Sequence, residues 1–364
     1  MSSLYVAAGG GGDALAAAIV HRALGHRAPA LIATYAWDRL AVDPRPGPRG
    51  FGDFTGLQRL GPHVRAIRWS TEPRPPSGST LPRLASHLAD TLVLLDPAHG
   101  AVGLAEQLGE MAALAGSESL AVLDVGGDAV ARGDEPELRS PVADALALAA
   151  ADRVDLPTTV LVAGPGLDGE LSEKQVLEAT GADPRLQLRR PDVAPFRPVL
   201  DWHPSEATGL LVAAARGLRG RVEVRDAGLP VELTGSSAGV YALPLEEAMT
   251  VNRLAVGVRA TTSLAQAEAV IRRAGARSEI DYERRKAGRW AVSAAVPAAP
   301  LSPAELDRLV AEVEAAAVRR GADFLTFRRI AEATGLHPGT VAGLREHLVA
   351  TRPARYVWPL WSLR

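Results

Sequence analysis

Apolar residues in this chain gather in short runs, several of them closed by glycine or aspartate and followed by a longer segment of helical spacing. Leu4-Tyr-Val-Ala-Ala8 runs into Gly9-Gly-Gly-Gly-Asp13 and on into the helix-forming Ala14–His21. Ala30–Tyr35, Val64–Trp69, Thr91–Asp96, Leu120–Asp124 and Thr158–Ala163 repeat the short apolar run. Runs of about four to eight apolar residues between turn signals predict strands buried on both faces. Gly103–Ala115 and the alanine-rich stretch after Ser140-Pro141 predict helices between them. Ser140 stands where an N-cap is wanted and Pro141 at the first helical position, while Ser172 and Gln175 form a capping pattern. Strands alternating with helices predict an α/β fold: a doubly wound, Rossmann-like, mostly parallel sheet over residues 1–200.

Beyond Pro191 the pattern changes. Ala207–Leu218 and Leu264–Ala274 have helical spacing, and Arg221–Arg225 and Leu229–Leu233 read as strands around an Ala227-Gly228 turn. Residues 201–300 are therefore expected to form a smaller α+β extension of the core. Residues 301–364 read as a helical tail, with a helix over Pro303–Arg320. In that tail Ile330-Ala331, Gly335-Leu336, Thr340-Val341 and Leu344 fit the small and apolar positions of a helix-turn-helix. Tyr356–Trp361 reads as a strand or packing segment.

Composition narrows the function classes. The 364 residues are 47% hydrophobic and 23% charged, with 40 basic against 42 acidic side chains, so there is no general pull towards nucleic acid or anionic membrane. The absence of cysteine excludes disulfides, thiolate metal sites and a cysteine nucleophile. No run approaches the roughly 20 apolar residues that span a bilayer. No basic region precedes the first apolar run, so it is not read as a signal peptide, and a cytoplasmic location is expected.

Three loops at expected strand ends combine glycines with acids. They are Gly9, Gly10, Gly11, Gly12 and Asp13; Asp124, Gly126, Gly127 and Asp128; and Gly164, Gly166, Asp168 and Glu170. The C-terminal ends of parallel strands share one edge, so these loops are expected to converge on one substrate site rather than to serve only as tight turns. Aspartates are hard oxygen ligands, which makes Mg²⁺ at Asp124 and Asp128 the candidate cofactor; alternatively the acids bind hydroxyl or amino groups directly. Gly9-x-Gly11-x-x-Ala14 with Asp38 formally fits a dinucleotide fingerprint. Asp13 would sit beside the pyrophosphate, however, and the strand before Asp38 ends early, so NAD or FAD is the lesser cofactor reading. No Walker sequence is present.

Glu135, in Gly133-Asp-Glu-Pro136 ahead of Ser140, is a candidate lid residue, and its alternative is a solvated turn. His203 and Glu206 form the candidate acid/base pair outside the sheet, with His99 a second histidine at the sheet edge. Gly235-x-Ser237-x-Gly239 fits a nucleophile elbow, but Val240–Pro244 follows where a helix is required. In the tail, His337, Pro338 and Gly339 offer little to base edges. Arg345 is the one obvious base contact, and Arg328, Arg329, Arg352 and Arg355 could reach phosphate. A packing or dimerisation module is favoured over a DNA reader, which leaves a homo-oligomer open.

On the Gly9–Asp13 start, the Asp124-Val-Gly-Gly-Asp128 loop, Gly133-Asp-Glu-Pro136, Ser140-Pro141 and Pro204-Ser-Glu206, the chain resembles an uncharacterised prokaryotic family, domain of unknown function 1152. The resemblance covers roughly residues 4 to 260 and implies that these loops form one site; it carries no reaction. The expected function is an enzyme that hydrolyses or transfers a group on a small polar metabolite, a nucleotide or phosphorylated compound among the candidates. The alternative is a ligand-sensing regulator that uses the tail.

Overall fold

The computed structural model describes residues 3–225, 228–294, 302–336 and 340–364. A nine-stranded sheet runs through its centre. Its strands lie in the order Leu186–Gln187, Gly239–Pro244, Thr158–Ala163, Leu120–Val125, Leu4–Ala7, Leu31–Tyr35, Thr91–Leu95, Arg65–Ala66 and Gln58–Arg59. The five strands from Thr158–Ala163 to Thr91–Leu95 are parallel, and the four outside them pair antiparallel. The protein is thus mixed α/β with a large, mostly parallel sheet. The Val64–Trp69 strand shrinks to Arg65–Ala66, which pairs antiparallel to Thr91–Leu95 instead of joining the parallel set.

Side chains of a buried strand alternate between the two faces. Tyr5 and Ala7 pack with Ala14–Val20 and Leu210–Ala215 on one face. Leu4, Val6 and Ala8 pack on the other with Leu104, Leu108 and the Val142–Ala151 segment. That two-faced burial is why the strands read as continuous apolar runs. The chain leaves Leu4–Ala7 towards Leu31–Tyr35 and Thr91–Leu95, then returns to the other flank of Leu4–Ala7 with Leu120–Val125. The two outgoing connections diverge there and leave a crevice at the C-terminal strand ends.

A second sheet joins the extension to the tail. Its order is Leu229–Leu233, Gly220–Val224, Phe324–Leu325, Leu360–Ser362 and Tyr356–Val357. Val222 pairs with Phe324, so hydrogen bonding runs across the expected division at residue 300. Strand Gly239–Pro244 likewise carries the extension back into the central sheet. In the tail, Phe327, Ile330, Leu344, Leu348 and Trp361 form a small core of their own. Ala227 of the expected turn lies outside the described residues. No helix among the described residues is long and apolar enough to cross a membrane.

Candidate active site

The Asp13, Asp124 and Asp168 loops follow three neighbouring strands, and the sheet edge brings them together. Glycine is needed there for close approach. A Cβ on Gly12 would collide with Ser205 Oγ, and one on Gly126, whose φ is +123°, would collide with the Asp168 side chain. Gly9 N–H donates to Asp13 Oδ2 at 2.7 Å, which folds the first loop onto its own acid. Gly166 N–H reaches Gly126 O at 2.7 Å and ties the third loop to the second, while Gly164 N–H reaches Gly239 O at 2.9 Å at the start of the adjoining strand.

The loops enclose a cavity of about 230 Å³, lined by Gly9–Asp13, Asp124, Asp128, Asp144, Asp168, Glu170, Glu279 and Glu283 among others. Asp128, Asp168 and Glu170 each offer one oxygen within 4.8 Å of the others, a spacing that could hold a metal ion. Ser140 Oγ sits 3.0 Å from Asp128 Oδ2 and 2.8 Å from Glu170 Oε1, and the Arg139 and Ser140 N–H groups donate to Glu170 Oε2 at 2.6 and 2.9 Å. Asp128 Oδ1 and Asp144 Oδ1 are buried with no partner. Ala129 N–H donates to Asp124 Oδ2 at 3.1 Å.

Burial and crowding of like charges act together here. Burial first, and then Asp168, push the Asp124 carboxyl up to about 7. Burial and then Glu170 push Asp168 up to about 6. Asp128, Asp13 and Asp144 are raised well above the ordinary carboxylate range, again by burial and then by neighbouring acids. Such a cluster must take up protons or a cation, because fully ionised carboxylates repel at low dielectric.

Ser140 holds the N-cap position, but its Oγ serves the two acids instead of its helix. Glu279 takes over the cap and accepts from Val142 N–H at 2.9 Å and Ala143 N–H at 3.0 Å. Burial still raises the Glu279 carboxyl to about 8.

His203 and Glu206 do not pair with each other, which corrects the expected acid/base couple. The Ser205 N–H donates to His203 Nδ1 at 3.3 Å, which places the ring proton on Nε2, and buried Nε2 has no partner. Burial, and then the Arg39 charge, lower the imidazole to about 3, so it stays neutral near pH 7. Glu206 is itself buried, but Arg328 at 3.0 Å, Thr326 at 2.6 Å and the Arg225 N–H at 3.2 Å outweigh that burial and lower its pKa. It is a structural anion rather than a proton donor.

The other candidates lie outside the crevice or are already engaged. Glu135 accepts from the Arg132 and Gly133 N–H groups at 2.7 and 2.9 Å and closes its own turn. Asp38 is held by Ser79 and Thr80. His99 is exposed in a short 3-10 turn. Ser237 is buried, with Oγ 2.9 Å from the Thr234 N–H, and leads into an antiparallel strand rather than a helix.

Several site residues escape a local reading of the sequence. Asp144 sits in the first turn of an otherwise apolar, wholly buried helix, and an acid in such a run was the one available signal. Arg39, Arg225, Glu279 and Glu283 carry no motif. Arg225 donates to Asp168 O at 2.6 Å and Glu170 Oε1 at 3.1 Å. It is the one non-glycine residue with left-handed backbone among the described residues (φ 60°), a strain that tends to gather at functional sites.

A larger cavity of about 560 Å³ opens from the first and shares Arg39, Ser140, Glu170, His203, Arg225 and Glu279 with it. Its far wall comes from the tail, including Phe327, Arg328, Val341 and Arg345. The tail arginines face protein groups. Arg345 donates to Leu200 O at 3.2 Å and lies over the Phe327 ring, and Arg328 bonds Glu206 and Glu332. Arg329 pairs with Glu223, Arg352 with Asp307 and Glu314, and Arg355 donates to Ser362 O. His337, Pro338 and Gly339 lie outside the described residues.

Fold and site together define an α/β protein with a buried, carboxylate-lined pocket at the C-terminal edge of its parallel strands. The chain belongs to the family described as Protein of unknown function (DUF1152), which matches residues 4–287. That span holds all three acidic loops, Glu279 and Glu283, and stops short of the tail. Neither a curated protein nor a solved structure matches the chain.

Proposed function

We propose that this protein is an enzyme that uses a divalent cation to hydrolyse or transfer a group on a small polar metabolite. The observation that carries the reading is the Asp128, Asp168 and Glu170 triad, with Asp128 Oδ1 unpartnered on the cavity wall. The donor set is all hard oxygen, which favours Mg²⁺. Bound there, such an ion would polarise a substrate oxygen and lower the pKa of a water. Ser140 and Arg225 orient Glu170, while Asp124 and Asp13 line the same cavity, and Asp124 would accept a proton from water. The strand order, which reverses beside Leu4–Ala7, supports a Rossmann-like doubly wound reading of the sheet.

A screen of metabolite hydrolysis with Mg²⁺ or Mn²⁺ tests the proposal. Turnover is expected in the wild type and is expected to fall at least a hundredfold in Asp128→Asn and Asp168→Asn. Unchanged turnover in both variants would sink it.

A second reading is a ligand-sensing regulator. It is supported by Phe327, Arg328, Val341 and Arg345, which line the larger cavity from the tail, and by the helix-turn-helix-like spacing of small and apolar residues in that tail. Ligand-dependent retention on DNA that weakens steeply with salt would favour it over the enzyme.

A further inference from the structure

Where the two cavities meet, donors stand beside acids: Arg39, His203 and Arg225 line both cavities together with Glu170, Glu279 and Glu283. The helix Gly11–Ala23 points its first turn at this junction, and the N–H groups of a helix's first turn have no intrahelical partner. His203 Nε2 lies over that turn: a Cβ on Gly11 would be 3.2 Å from it. The imidazole is 6% exposed, carries its proton on Nε2, and directs that N–H at no protein acceptor. A buried donor left unpaired is destabilising, so a ligand acceptor is the simplest account of its orientation.

Arg39 faces the same junction and lines both cavities. Arg225 and Arg328 are paired with Glu170 and Glu206, whereas the guanidinium of Arg39, an exposed residue, has no hydrogen bond or ion pair among the described residues. Repulsion from Arg328 is the main influence that lowers its pKa, to about 10, and the charges of Glu206 and Glu332 act in the opposite direction.

We propose that Arg39, the His203 Nε2–H and the first-turn N–H groups of Gly11 and Gly12 form an oxyanion subsite that binds the phosphate of an organic phosphate substrate. This rests on the proposed function, and it places the reacting group between the acid triad and the larger cavity. A tetrahedral oxyanion can accept from donors that approach from several directions, as the helix terminus, the ring and the guanidinium do here. The body of the substrate then occupies the 560 Å³ cavity, against Trp202 and the tail's Phe327. That volume lies within the range of pockets that hold ligands of drug size. Phe327, Arg328, Val341 and Arg345 of the tail line that cavity and would take part in the choice among organic phosphates.

The test is binding of inorganic phosphate to the full chain in EDTA, followed by ³¹P NMR titration, with acetate as the competing carboxylate. Wild-type protein is expected to bind phosphate at millimolar concentration or better. Arg39→Gln is expected to weaken binding at least tenfold, Arg39→Lys to restore part of it, and His203→Phe to weaken it severalfold, with thermal midpoints confirming that each variant is folded. Asp128→Asn is expected to keep phosphate binding while losing any response to Mg²⁺, so failure of the metal site and failure of the phosphate site give different patterns. Wild-type affinity in both Arg39→Gln and His203→Phe, no phosphate binding by the wild type, or acetate displacing phosphate at equal concentration would each overturn the subsite.

Discussion

Replacing Asp128 with asparagine should make the metal-free protein more stable and at the same time deaf to divalent cations. Asp128 is 4% exposed, touches Ser140 Oγ through Oδ2, and leaves Oδ1 unpartnered among acids that raise its pKa. Asparagine keeps the shape and the Ser140 contact, removes one charge from the cluster, and gives its acid neighbours a donor. Relief of this kind at a functional site is worth about 0.5–2 kcal/mol. With an unfolding entropy of roughly 2 cal/mol/K per residue, the 364-residue chain gains about 1 °C per kcal/mol, so the metal-free midpoint should rise by about 1–3 °C. Wild-type protein in Mg²⁺ or Mn²⁺ at a hundredfold excess over Kd should gain about 2.7 kcal/mol, or about 3–4 °C, and the variant nothing. Scanning calorimetry in EDTA and in metal reads both effects. A variant no more stable than wild type in EDTA, with an undiminished metal shift, would refute both the crowding argument and the assignment of Asp128 as a ligand.

Two further outcomes follow from groups outside the triad. Glu279 has a folded pKa of about 8 against an ordinary 4.5, so the folded state holds its proton more tightly. Its contribution is fully present below pH 4.5 and is lost as pH rises through 8, up to about 5 kcal/mol at the limit; in Glu279→Gln, stability from urea unfolding should fall less between pH 5 and 8.5, and equal pH slopes would count against it. Arg328→Met strands Glu206 in a buried setting where the pair is 14% and 9% exposed, so it should cost roughly 3–5 kcal/mol; a loss below about 1 kcal/mol on denaturant titration would show that Thr326 and the Arg225 N–H suffice for Glu206.

The sequence by itself determined the local grammar of this protein. Short apolar runs marked the five parallel strands, and glycine with acid marked the loops after three of them, because burial on both faces demands uninterrupted apolar side chains and close approach demands glycine. The rule that parallel strands share one C-terminal edge brings Asp13, Asp124, Asp128, Asp168 and Glu170 towards one place, and all five line the same cavity. Tertiary structure alone decided what surrounds them. Arg39, Arg225, Glu279 and Arg328 come from separate elements, and nothing local distinguishes a charge bound for a cavity from one bound for solvent. His203 and Glu206, three residues apart in the chain, have separate partners: the imidazole meets the turn at Gly11, and the carboxylate meets Arg328 of the tail. Val64–Trp69 reads as a strand although Arg65 and Arg68 interrupt it, yet only Arg65–Ala66 pairs, one strand in from the sheet's edge. Periodicity records how much of a segment is buried; which groups bury it is a long-range property, settled only when distant elements pack.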